Sequence, residues 1–264
     1  MKRIILPSLL FLALAAQASV WGHDLKILTN RPSLPDVDGK VTVYLSWGHR
    51  LPVDELVDGS TLERYDIIAP AGKATALPKE GTSLHAHVAE LKENGVHSVV
   101  AGRKSSIHTY VIDDDGQKKF KRGPKSAHVG AKIDSAVRST QSARAIVVVG
   151  SPGDEAPKAT GLHVEIVPMD GPARWKANGE LRLKVLHRGQ PLAGATIEAR
   201  SLSFDDDAPR MKAETNSQGE VTLRPKQAGV WIVKSTHKTP AAEASRTEYD
   251  VESLTTTLSL EVRP

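Results

Sequence analysis

The chain has 264 residues, 25% of them charged and 39% hydrophobic, which excludes a disordered or fibrous protein and allows one large or two ordinary domains. Lys plus Arg is 35 against 31 for Asp plus Glu, and two of those cations are Lys2 and Arg3, so the rest is nearly neutral and offers nucleic acid no electrostatic footprint. Cysteine is absent, which excludes disulfides, iron–sulfur clusters, thiolate zinc sites, cysteine nucleophiles and a lipid-modified cysteine.

Residues 1–22 read as a signal peptide. Lys2-Arg3 is a basic n-region, Ile4 to Ala16 is apolar, and small residues follow in Ala16-Gln17-Ala18. Cleavage after Ala18 would leave Ser19 first. Cleavage after Gly22 would leave His23 first. Either way the expected mature protein is exported to the periplasm and soluble.

The remaining segments mostly alternate with period two, as half-buried strands do. Val41 to Leu45, Leu84 to Val88, Ile107 to Ile112 and Ala145 to Val149 are expected strands. In Leu84 to Val88, the apolar Leu84, Ala86 and Val88 should share one face, with His85 and His87 on the other. Asp113-Asp114-Asp115 beside Lys118-Lys119-Phe120-Lys121-Arg122 reads as a solvated hairpin. One short helix is expected around Ala131 to Ser139. Ser151 to Pro157 reads as a linker.

A second strand series follows in Gly161 to Val167, Glu180 to Leu186, Gly189 to Ala199, Thr215 to Leu223, Gly229 to Val233 and Thr255 to Val262. The expected fold is all-β, with two immunoglobulin-like or transthyretin-like β-sandwich domains. The expected organisation is signal peptide 1–22, first sandwich 23–150, linker 151–160 and second sandwich 161–264. Trp231 is the expected anchor of the second core.

Ten histidines in a chain without cysteine direct any metal site to imidazole ligands, which suit nickel, cobalt, copper and zinc. If His23 comes first, its α-amine and ring can chelate one ion together; otherwise it is an exposed residue near a frayed end. His49 follows a strand in Ser46-Trp47-Gly48-His49-Arg50-Leu51-Pro52-Val53-Asp54, where it is a ligand or a turn residue, and Trp47 could wall a pocket. His85 and His87 form an i, i+2 pair that is a weak chelate or a solvent face. His237 ends a strand. His128, His163 and His187 sit in no informative pattern. Asp205-Asp206-Asp207 reads as a solvated loop without the twelve-residue calcium pattern. No HExxH, GxSxG, P-loop or dinucleotide motif is present, and the expected protein is not an enzyme.

Gly189-Gln190-Pro191-Leu192-Ala193-Gly194-Ala195, then Thr215-Asn216-Ser217-Gln218-Gly219-Glu220, then Gly229-Val230-Trp231 resemble the transthyretin-like and carboxypeptidase-regulatory-like modules. Taken with His23-Asp24-Leu25, the Trp47-Gly48-His49 segment, Leu162 to Pro168 and the closing Thr255 to Val262, the order resembles one larger family. It is the periplasmic component of cobalt and nickel transport systems of the energy-coupling-factor type, also catalogued as a domain of unknown function. The resemblance spans His23 to Val262. It implies metal delivery rather than catalysis, a mature chain starting at His23, and His23, His49 and His237 as site residues. His85 and His87 are candidates from the strand reading alone.

The expected function is therefore a periplasmic metal-binding protein that captures nickel or cobalt and delivers it to a membrane uptake transporter. Copper is possible on the same ligands. The alternatives are an N-terminal-histidine copper protein or oxidative enzyme, and an envelope binding module that needs no metal.

Overall fold

Alternation along one long strand organises the molecule. A computed structural model describes residues 23–51, 53–202 and 210–264. The expected signal peptide, Pro52 and the Asp205-Asp206-Asp207 run lie outside the described residues.

The first half contains β1 (Asp24–Thr29), β2 (Ser33–Leu34), β3 (Gly39–Gly48), β4 (Val57–Asp58), β5 (Leu62–Ile68), β6 (Ala74–Ala76), β7 (Thr82–Ser83), β8 (His87–Leu91), β9 (Gly95–Arg103), β10 (Ser106–Ile112), β11 (Lys118–Arg122) and β12 (Lys132–Val149). The second half contains β13 (Val164–Pro168), β14 (Leu181–His187), β15 (Gln190–Pro191), β16 (Thr196–Ser201), β17 (Met211–Glu214), β18 (Glu220–Leu223), β19 (Gly229–Pro240) and β20 (Val251–Val262). Short 3-10 turns are the helical content of the described residues. The fold is all-β, as the alternation implies.

β12 contributes to two cores because its side chains alternate across the sheet. Ala143, Ala145, Val147 and Val149 join Leu25, Ile27, Val41, Val43, Leu45 and Tyr65 on one face. Ile146 and Val148 join Ile166, Trp175, Leu183, Val185, Ile197, Trp231 and Leu258 on the other. Each such fully buried aliphatic side chain is worth about 1.5–3 kcal/mol. Trp231 anchors the second core, and its indole N–H donates to the Gln227 carbonyl at 3.0 Å.

The sheet through β12 has 11 strands, running β17-β16-β19-β20-β12-β9-β5-β6, with β10, β11 and β2 attached beside β12. β1, β3 and β8 form an outer layer over the first core; β13, β14, β15 and β18 form one over the second. β20 pairs in parallel with β12, from Val137↔Val251 to Ala145↔Ser259. The two sandwiches thus share a sheet. The segment between them is tied down as well: the Arg64 guanidinium donates to the Thr160 carbonyl at 2.7 Å.

Two local expectations change. The helix expected around Ala131 to Ser139 is the start of β12. Ile133, Val137 and Thr140 are β-branched, and β10 and β20 offer pairing partners on both sides, so tertiary pairing overrides weak local propensity. The strand expected over Leu84 to Val88 does not form as such. His85 has φ +45°, outside the strand region, and its N–H donates to Ser83 Oγ at 2.9 Å. The chain re-enters a strand only at His87. His85 is consequently 4% exposed while Val88 is 67% exposed, the reverse of the expected faces. The acidic and basic run at 113–122 does form the expected hairpin, β10 against β11.

Candidate metal site at the start of the first strand

β1 and β3 run antiparallel with Asp24 opposite Gly48. One further step of that register sets His23 opposite His49. Their ring centroids lie 4.7 Å apart, tilted by 37°. Register alone thus brings together two histidines far apart in sequence.

Several contacts hold this end of β1. The Gln141 amide, on β12, donates to the His23 carbonyl at 2.9 Å, and its oxygen accepts the Leu25 N–H at 3.1 Å. Thr257 and Ser259 hydroxyls donate to the Leu25 and Ile27 carbonyls. The Asp24 carboxylate pairs with Lys234 of β19 at 2.8 Å. Lys26 is buried and donates to the Gly48 carbonyl at 2.6 Å and the Asp24 carbonyl at 3.2 Å. Burial pushes its ammonium down to about 8 against the opposing pull of Asp24.

The far side is built by the turn after β3. Gly48 has φ +116°, and a Cβ there would lie 2.5 Å from Asp54 Oδ2. Only glycine lets the Asp54 carboxylate fold back to accept the His49 N–H at 2.8 Å. That backbone donor, first among the influences on it, holds the Asp54 carboxyl below the usual range. The Glu55 N–H donates to the Trp47 carbonyl at 3.0 Å, which aims the Glu55 side chain at His23. Glu55 Oε1 lies 2.8 Å from His23 Nε2. The Trp47 ring stacks on His23 at 5.6 Å and 13°, and the Arg103 guanidinium lies 4.0 Å from the Trp47 centroid.

An ionised carboxylate only accepts, so the Glu55 contact calls for a proton on His23 Nε2, and the neutral tautomer that carries it keeps its lone pair on Nδ1. A carboxylate behind an imidazole is the usual outer partner of a metal-binding histidine. If export leaves His23 first, Nδ1 and the new α-amine lie on one residue, whose ring is beside that of His49. Among the described residues, no group of three or more His, Asp or Glu side chains stands ready as a complete ligand set. What the geometry offers is one candidate pair, His23 and His49.

The other three candidates sit in separate surroundings. Buried His85 has Nε2 2.9 Å from the Val57 carbonyl, and its own carbonyl accepts the Tyr65 hydroxyl, which makes it part of the fold. His87 Nε2 lies 2.7 Å from the Pro78 carbonyl, and its ring meets Tyr65. The two do not share a face as a chelating pair. His237, opposite Leu254 on β19, has Nδ1 3.3 Å from the Gly194 carbonyl; Lys234 is the β19 residue that reaches β1. Glu55 and Gln141 are the partners that sequence reading missed. Glu55 sits six residues after His49, a spacing that carries meaning only once the turn is known.

The model of the family described as a domain of unknown function, DUF4198, matches residues 20–239. This chain belongs to that family. No curated protein matches it. Among solved structures, the D0–D1 domain of intimin aligns over 91% of this chain and 98% of that one, at 10% identity and a TM-score of 0.22. Trypsin-activated alpha-2-macroglobulin from Escherichia coli aligns over 92% of this chain and 16% of that one, at 11% identity and a TM-score of 0.23.

Proposed function

We propose that this DUF4198 protein is a periplasmic metal-binding protein that captures nickel or cobalt and delivers it to a membrane uptake transporter. The observation that carries this reading is the opposition of His23 and His49 with Glu55 bound to His23 Nε2. That arrangement supports chelation through His23 Nδ1, the α-amine and His49. Few and accessible ligands suit an ion that must be passed on, whereas a structural site is closed. Nickel and cobalt both accept nitrogen ligands of this kind.

One observation favours a second reading. An N-terminal histidine chelating through Nδ1 and the amine, facing another histidine, is also a suitable copper site for oxidative chemistry. The two readings separate on copper-dependent oxygen consumption.

The test uses protein exported on its own leader. Intact mass gives the first residue, and calorimetry with Ni(II), Co(II) and Cu(II) follows, beside His23→Ala and His49→Ala. The expected result is a chain beginning at His23 and tight binding lost in both variants. Absence of binding, or binding indifferent to both substitutions, overturns metal capture and leaves an envelope binding module.

A further inference from the structure

A second pair of imidazoles lies on the opposite outer layer. β13 and β14 run antiparallel with Val164 opposite His187. His163 lies one step before, and its carbonyl accepts the Arg188 N–H at 2.8 Å. Arg188 and Gly189 have φ +51° and +75°, the conformation of a tight two-residue hairpin turn. The two histidine rings meet beside this hairpin with centroids 5.1 Å apart, both half-buried.

The contact between them is a poor hydrogen bond. Their Nε2 atoms are 3.3 Å apart, and Arg188 Nε also lies 3.3 Å from His163 Nε2. A neutral imidazole nitrogen has one lone pair, so His163 Nε2 cannot satisfy both neighbours, and both distances exceed the usual N–H range of about 2.7–3.2 Å. The separation does match another geometry. Two nitrogens bound at about 2.0–2.1 Å to one tetrahedral ion stand about 3.3 Å apart.

We propose that His163 and His187 form a second, exchangeable site for a divalent transition-metal ion, independent of the His23–His49 site. Burial, foremost, holds both rings below the ordinary imidazole range. The groups that act on the pair are Arg188 of its own hairpin, Glu63 of β5, Arg138 of β12, His237 of β19 and Glu252 of β20. The two carboxylates offset the two guanidiniums. Water fills the positions that the two nitrogens leave, which makes the ion easy to exchange. Arg188 competes for the His163 lone pair and swings away when metal binds.

The test is Zn(II) calorimetry on the exported chain carrying His23→Ala and His49→Ala, which removes the first site. One residual site is expected. His163→Gln or His187→Gln added to that background should weaken it about tenfold or more, and Arg188→Ala should tighten it. On wild-type protein, Ni(II) should broaden the ring-proton resonances of His163 and His187, a readout that needs no substitution at the pair. No residual Zn(II) binding, residual binding indifferent to His163→Gln and His187→Gln, or unbroadened resonances overturns the second site and leaves the first untouched.

Discussion

The two outer layers each carry one histidine pair, and the pairs differ in what stands behind the rings. His23 has the Glu55 carboxylate on Nε2, and the Asp54 carboxylate caps the His49 backbone. His163 has the Arg188 guanidinium at its Nε2. A carboxylate raises the basicity of an imidazole and offsets the charge of an arriving cation, while a guanidinium opposes both. The number of histidines is the same in each pair. If both pairs bind metal as proposed, their neighbours rank them, and the pair beside Glu55 should bind the tighter.

The strongest way to break the comparison is to damage what both pairs share. Arg144 lies in β12 between the cores and is 1% exposed. Its guanidinium donates to Ser98 Oγ at 2.7 Å, and burial pushes its pKa down to about 10, opposed by Glu165. Arg144→Ala opens a cavity in the shared sheet and removes the donor to buried Ser98 Oγ. A loss of about 2–5 kcal/mol in urea unfolding is expected. Both pairs should weaken together, because the shared sheet carries both outer layers.

Gly48→Ala should separate them. The new Cβ meets Asp54 and the backbone must leave φ +116°, at a cost of about 1–3 kcal/mol. The turn that presents His49 then shifts. Metal binding at His23–His49 should fall while Zn(II) binding at His163–His187 stays, as calorimetry on each isolated site would read.

Much of the fold was legible in the sequence, and the shared sheet was not. Trp231, the hairpin at 113–122 and the strands of the second half follow from local pattern. The parallel pairing of β12 with β20 joins residues more than a hundred positions apart, and no local signal encodes it. The end of β12, Ala145 to Val149, reads as a strand, but its start reads as a helix, because the pairing with β10 and β20 that makes it extended is not encoded locally. His49 stood out by its Gly48 and its strand end. Its partnership with His23 depends on register, which turn geometry sets. His163 and His187 had no pattern at all, since only the β13–β14 pairing makes them neighbours.

The second layer carries its own acid-sensitive lock. Arg182 donates two hydrogen bonds to Asp170, one of them at 2.7 Å, and Trp175 donates to the Asp170 carbonyl at 3.0 Å. The Arg182 hydrogen bonds, foremost, hold the Asp170 carboxyl below its ordinary value of 3.8. A carboxyl depressed in the folded state stabilises the fold above its unfolded pKa, and that contribution disappears as pH falls through the folded value. Arg182→Ala should therefore lower stability at neutral pH and move acid unfolding to higher pH, followed by tryptophan fluorescence.

The smallest structural change tests the comparison most directly. Glu55 and His23 are both substantially exposed, so their ion pair adds little to folding, and Glu55→Gln should shift stability by no more than about 0.5 kcal/mol. If the carboxylate matters through His23, the same substitution should weaken Ni(II) binding at the first site about tenfold, as loss of an outer partner does. Arg188→Ala at the other pair should act in the opposite sense. Two exposed side chains that touch no ion would then move two affinities in opposite directions, bringing the pairs closer together. Were Glu55→Gln without effect on Ni(II) binding, the ranking by neighbouring charge would fail, and ring geometry alone would have to account for any difference between the pairs.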